Sequence, residues 1–247
     1  MTPETARQHL RRLSHLGGGA LVVRRACARL LGALPEPAAI ELLSAAIGLS
    51  REAWLPAMRV LPALLLALEE DRDLVPNVDA LRRVASLYEL PDAEAVFACG
   101  QPTKELDLRA AARADLRLVS LPLGVLRSRA RLTRNPDELS RLAVVSNPVV
   151  LREVLKNPRL TEPLVVRVAA RRPARPEPLI EIWRATRWSV LPRVRRALAF
   201  NPYLPPSVGS KIVPLLSRVD LAELVTDSAV HPSLKEQAVR LLASRPP

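Results

Sequence analysis

The dipeptide Asn-Pro occurs four times in the second half of the chain, at Asn135-Pro136, Asn147-Pro148, Asn157-Pro158 and Asn201-Pro202. Asn caps helix N-termini well, because its side-chain oxygen accepts from the unpaired backbone N–H groups there. Pro is favoured at the first helical position, where its missing N–H would have had no partner. Each pair therefore reads as the start of a helix. Asn135 and Asn157 lie 22 residues apart, and Asn157 and Asn201 lie 44 apart. Arg172-Pro173 and His231-Pro232 read as worn copies. A fixed period of this size marks a repeat architecture: about 22 residues hold two short helices that cannot bury their own apolar face, so the units must stack.

The rest of the chain is also helical in pattern, with no sustained alternation of a strand kind. In "TPETARQHLRRLSHL", Thr2 caps, Pro3 takes the first helical position, Glu4 suits the first turn, and Gly17-Gly18-Gly19 ends the helix. "ALVVRRACARLLGAL" places Leu21, Ala28 and Leu31 on one face. "PEPAAIELLSAAIGL" and "SREAWLPAMRVLPALLLALEE" follow as helices, the latter expected to bend or break at Pro56 and Pro62. "NVDALRRVASLYEL" and "PDAEAVFA" close the first half, and the loop Cys99–Glu105 is the best boundary. Two domains are expected: 1–100, a near-neutral helical half, and 101–247, a basic repeat half with a near-neutral C-terminal cap.

Apolar residues make up 49% of the 247, but aromatics only 3%, so the core must be built from Leu, Val, Ala and Ile. The two cysteines, Cys27 and Cys99, make no disulfide framework and read as core residues. The longest apolar run, Val60–Leu68, is nine residues with a proline inside, where a membrane span needs about 20. The opening residues lack an apolar signal-peptide core. A soluble, cytoplasmic protein is expected.

"NPRLTEPLVVRVAA" (Asn157–Ala170), "NPYLPPSVGSKIVPLL" (Asn201–Leu216) and "HPSLKEQAVRLLA" (His231–Ala243) resemble leucine-rich repeat variant units, whose pattern is close to Asn-Pro-x-Leu-Pro followed by Leu-Ala. The resemblance covers roughly residues 120–245, and the first hundred residues resemble generic HEAT-like helices. It implies an all-α fold, a right-handed α-solenoid of short paired helices. The family pattern carries no catalytic residues. Some members of the wider family hold an iron–sulfur cluster, but two distant cysteines cannot supply its usual four ligands, and no cofactor is expected.

Net charge is +12, and it is confined to the middle of the chain: residues 101–218 hold 23 basic and nine acidic side chains, whereas residues 1–100 hold 11 and 12. On the expected helices, Arg127, Arg131 and Arg134 share a face by spacing, as do Arg167 and Arg171, and Arg193 and Arg196. With Arg172 they form the candidate partner-binding set, aligned by stacking into one basic surface. A solvated outer face would more often mix signs. The leading expectation is a non-enzymatic scaffold or adaptor that docks an acidic protein surface, since the planar guanidinium pairs bidentately with carboxylates. The second is sequence-blind duplex nucleic-acid binding by the same arginines. Single-strand recognition is disfavoured by the scarcity of aromatics to stack on bases.

Catalytic motifs are absent from the sequence. Gly17-Gly18-Gly19 is not followed by the Lys-Ser/Thr of a phosphate loop, and no nucleophile elbow occurs. His9, His15 and His231 have no metal-ligand spacing. A third reading is a DNA glycosylase built from HEAT-like repeats, with Trp183, Trp188, Arg184 and Arg187 in a groove. Against this reading, no matching motif is present, and Trp183 reads more naturally as core and Trp188 as a partly exposed helix-end residue.

Overall fold

The computed structural model describes residues 1–75, 77–97, 100, 102–104, 121–145 and 147–244. Cys99, Gln101 and Glu105 of the expected Cys99–Glu105 boundary lie outside them. Every regular element among the described residues is helical, and none is a strand. Two compact units result. Unit 1 comprises residues 1–99, 210–226 and 232–247, and unit 2 comprises 100–209 and 227–231.

Unit 1 is organised around the apolar run. It contains α1 (Pro3–Ser14), α2 (Ala20–Ala33), α3 (Glu36–Arg51), α4 (Leu55–Glu70), α5 (Val78–Leu87) and α6 (Pro91–Glu94). All nine residues from Val60 to Leu68 are buried, as a helix apolar on every side must be. α1, α2 and α3 pack around α4 to cover it. The expected break in this segment is corrected: Pro56 sits in the first turn of α4, where it fits, and the helix runs on through Pro62. The expected helix start near Ser50 is corrected too, since Ser50 and Arg51 end α3. In α2, Cys27, Ala28 and Leu31 face the core, but Leu21 is 61% exposed. Burial pushes the Cys27 thiol up to about 12, so it stays protonated. The start of α1 follows the sequence: Thr2 accepts from Thr5 N at 3.2 Å.

At the end of α4 the carboxylate of Asp71, fully buried, is held by Arg24 Nε at 2.8 Å and Arg25 Nε at 3.1 Å. Arg51 donates two bonds to Asp92, tying α3 to α6. The C-terminal helices α15 (Arg218–Thr226) and α16 (Pro232–Ser244) pack on each other, and α16 lies against α6. The expected 101–247 half is therefore corrected: residues 210–226 and 232–247 belong with unit 1. Gln237 Nε2 donates to Ser210 O at 2.7 Å, and Lys211 pairs with Glu69, which fixes this grouping.

Unit 2 is built from α7 (Leu123–Leu132), α8 (Pro136–Val144), α9 (Pro148–Lys156), α10 (Glu162–Ala169), α11 (Pro176–Arg184), the single turn α12 (Thr186–Ser189) and α13 (Pro192–Ala199). α14 (Pro206–Ile212) follows. The helices pack by skipping one. α7 lies on α9 and α9 on α11, while α8 lies on α10 and α10 on α13. The starts of α9, α10, α11, α13 and α14, at 148, 162, 176, 192 and 206, are spaced by 14 or 16 residues. The expected 22-residue unit is thus replaced by a 14-residue one: a single short helix with Pro in its first turn, then a link.

α3 and α5 end alike. Trp54 N reaches Leu49 O at 3.0 Å and Leu90 N reaches Ala85 O at 3.2 Å, with Ala53 and Glu89 between at φ of 59° and 50°. Glycine is the usual residue at such a left-handed helix end. Ala53→Gly is expected to raise stability by about 1 kcal/mol. Gly32→Ala is expected to lower it by about 1–3 kcal/mol, because a Cβ there runs into the carbonyl oxygen of Leu74. Urea titrations of the two variants check both signs.

Candidate interaction surface

The helices of unit 2 are short: α7 has 10 residues, α8, α9 and α11 have nine, and α10 and α13 have eight. The last four carbonyls of any helix lack intrahelical donors, so roughly half the carbonyls of these helices need partners from elsewhere. Much of what the sequence offered as recognition chemistry meets this need.

Asn135 and Asn147 cap as expected. Asn135 Oδ1 accepts from Asp137 N at 2.9 Å at the head of α8, and Asn147 Oδ1 from Val149 N at 2.9 Å at the head of α9. Asn157 and Asn201 do not, and their expected role is corrected. Each follows a helix end, and a turn separates it from the next helix: Leu160 N bonds Asn157 O at 3.2 Å, and Leu204 N bonds Asn201 O at 3.0 Å. Each is buried, at 1% and 3% exposure, and each turns its amide onto the tail of another helix. Asn157 Nδ2 donates to Ala130 O at 2.9 Å and Thr133 O at 3.1 Å, closing α7. Asn201 Nδ2 donates to Ala169 O at 2.7 Å and Arg171 O at 3.0 Å, closing α10.

The same rule holds twice more. Trp188, beyond the end of α11, donates Nε1 to Leu155 O of α9 at 2.8 Å. Arg171, beyond the end of α10, donates Nη1 to Val144 O of α8. In each case the residue beyond a helix closes the helix packed before it in the same layer (α9 on α7, α10 on α8, α11 on α9, and α13 on α10 past the single turn α12), so the members of each layer run parallel with their C-termini side by side. Arg172 Nη2 adds a bond to Phe200 O at the end of α13, at 2.5 Å.

These placements divide the expected partner-binding arginines. Arg171 and Arg172 are spent on helix ends, and Arg171 lies past α10 rather than on a shared face with Arg167. Arg134 likewise lies past the end of α7, so it shares no helical face with Arg127 and Arg131. Arg196 is half-buried, its guanidinium 4.7 Å from the Phe200 ring. Arg127, Arg131, Arg134, Arg167 and Arg193 are exposed. The aligned surface expected from stacking is also divided by layer: Arg127 and Arg131 ride on the α7–α9–α11 layer, and Arg167 and Arg193 on the α8–α10–α13 layer.

Asn157 Nδ2 bonds the carbonyls of Ala130 and Thr133, so its turn, which carries Arg159, is tied to the tail of α7, which carries Arg131 and is followed by Arg134. Arg187 Nη1 reaches Asn157 O at 3.4 Å from the other side. All four arginines are exposed. Arg131 also lines an open groove of about 180 Å³ with Gly124, Arg127, Ser128 and Glu153. Among the described residues, the side chains of Arg131, Arg134 and Arg159 make no hydrogen bond or ion pair. Sequence reasoning missed Arg159, and placed Arg187 only in the glycosylase groove, because helical spacing says nothing about a turn folded back on a neighbour.

Trp183 and Trp188 are 0% and 4% exposed. Trp188 is thus not the partly exposed helix-end residue expected, because its N–H closes α9. Neither ring is exposed to stack on a base. Among the described residues no helix is long and apolar enough to cross a membrane. No protein-family model, curated protein or solved structure matches the chain.

The corrected role of the Asn-Pro pairs is testable. Asn157→Ala removes the donor from two buried carbonyls and is expected to cost about 2–3 kcal/mol, against about 1 kcal/mol for the exposed cap Asn135→Ala. Asp separates the roles further. Asn135→Asp should be nearly neutral, since only an acceptor is needed, whereas Asn157→Asp sets a carboxylate against carbonyl oxygens. Denaturant melts that rank Asn157→Asp no lower than Asn135→Asp contradict the assignment.

Proposed function

We propose that the protein is a non-enzymatic helical-repeat adaptor that docks an acidic protein surface on the arginine cluster around the Asn157 turn. Unit 2 is on this reading a short right-handed α-solenoid of the leucine-rich repeat variant kind, supported by the skip-one packing of its helices and by the Asn-Pro-x-Leu turns. The observation that carries the binding reading is the bonding of the Asn157 turn, which carries Arg159, to the tail of α7, which carries Arg131 and is followed by Arg134; the side chains of all three are exposed and unengaged by described residues. Helix C-termini favour nearby cations, which accounts for one or two of these charges. It does not account for three exposed, unengaged arginines on two segments bonded together, because like charges in proximity repel. A surface of carboxylates relieves that repulsion and matches the bidentate geometry of guanidinium.

The triple reversal Arg131→Glu, Arg134→Glu, Arg159→Glu is expected to leave the melting curve within about half a kcal/mol of wild type, since all three are exposed. Affinity capture with tagged wild type should retain acidic proteins that the reversal variant loses. Co-purification with nucleic acid, and duplex binding whose logarithm falls with log salt at about −0.9 per phosphate contacted, would instead select the nucleic-acid reading. Identical captured sets for wild type and variant overturn the cluster as a docking site.

A further inference from the structure

An open groove of about 550 Å³ lies in unit 1, lined by α1 and by the link between α3 and α4. Its size falls within the range of about 300–1,000 Å³ usual for small-molecule sites. The link is sharply turned: Ala53 takes a φ of 59°, and Trp54 N bonds Leu49 O at 3.0 Å. This turn sets Glu52, Trp54 and Leu55 along the groove, with Leu49 from the last turn of α3. α1 packs on both α3 and α4 and adds Arg7 and Arg11, one turn apart.

Two kinds of surface meet there. Leu55 is 62% exposed and the indole of Trp54 is half-buried, so apolar area stands open to a ligand. Arg7, Arg11 and Glu52 are exposed, and among the described residues none of their side chains makes a hydrogen bond or ion pair. Arg7 and Arg11, sharing a helical face at this spacing, repel each other, and Glu52 pairs with neither. Arg11 is nonetheless oriented, because its guanidinium lies over the Trp54 ring, 5.7 Å from the centroid, where the ring face attracts a cation. Two positive charges and one negative leave a lining of +1. A single carboxylate balances that sum, and a guanidinium receives it through paired N–H donors. A phosphate dianion exceeds the sum and meets the repulsion of Glu52.

We propose that this groove binds a small amphipathic monocarboxylate, with its charge on Arg7 and Arg11 and its apolar body along Leu49, Trp54 and Leu55. Glu52 sets the specificity by disfavouring dianions. The site belongs to unit 1 and uses none of the arginines at the Asn157 turn, so it goes beyond the adaptor reading and either can fail without the other.

The test is titration of the whole chain with octanoate and with phenylbutanoate, followed by tryptophan fluorescence. The other two tryptophans, Trp183 and Trp188, are 0% and 4% exposed, so a change in emission reports Trp54. At least one of the acids should change it saturably. Acetate, which lacks the body, and octanol, which lacks the charge, should each bind about tenfold more weakly or worse. Calorimetric titration compares the variants, since replacing Arg11 alters the surroundings of Trp54 directly. The double variant Arg7→Gln, Arg11→Gln should lose about tenfold or more in affinity for the acid, and Leu55→Gln should lose several-fold. Glu52→Gln should hold the acid at least as tightly and should admit octyl phosphate, which wild type rejects. Arg240→Gln, an exposed arginine on α16, should bind as wild type does. Circular dichroism checks that these exposed substitutions leave the fold intact. No saturable binding of either acid to wild type, affinity that survives the double arginine variant, or equal binding of octanol overturns the proposal. Continued exclusion of octyl phosphate by Glu52→Gln overturns the role of Glu52.

Discussion

The structure of the second unit depends on one requirement: the open carbonyls at the ends of very short helices must find donors. A helix of eight or nine residues has little internal hydrogen bonding and is marginal alone in water. Here the donors for the tails of α7, α8, α9 and α10 are supplied from beyond the helix that packs on each, by Asn157, Arg171, Trp188 and Asn201 in turn. Packing and hydrogen bonding are therefore one event. A helix cannot dock on its neighbour with the wrong polarity, because the donor would then meet the N–H end. The parallel order within each layer, the burial of two asparagines and the recruitment of an arginine and a tryptophan to inner positions all follow from it.

Much of this was legible in the sequence, and the part that was not has a definite reason. The all-helical character, the cap at Thr2 and the starts of α8 and α9 follow from capping chemistry and composition. The second role of Asn-Pro did not, because a dipeptide looks the same whether its side chain turns forward to its own helix or sideways to another. The following residues do carry the distinction. Where the pair starts a helix, the first buried leucine stands four residues after Asn, at Leu139 and Leu151. Where it makes a turn, leucine stands three after, at Leu160 and Leu204, and a further proline, Pro163 or Pro206, marks the real helix start. Grouping Asn135 with Asn157 produced an apparent 22-residue period that joins two different devices.

The arginines show the same limit. Net charge by segment located the basic unit, but spacing along ideal helices assigned Arg134 and Arg171 to helical faces that end before reaching them. Where the helices stop is set by tertiary donors, which no local pattern reports. The outcome is a division of labour among residues of one type: Arg171 and Arg172 close helices, Arg152 neutralises Glu181, Arg195 lies buried, and Arg131, Arg134 and Arg159 stand free.

The reach of the capping donors also sets how such a chain can change length. Each donor closes the preceding helix of its own layer, so adding or losing a single residue in a link would carry one side chain away from its carbonyls and bring the next into its place. Duplicating a whole helix with its link preserves every donor's aim but moves each later helix into the opposite layer. Duplicating a consecutive pair, about 28 residues, leaves both layers in phase. Growth of this architecture is thus quantised, with the helix pair as the smallest neutral insertion.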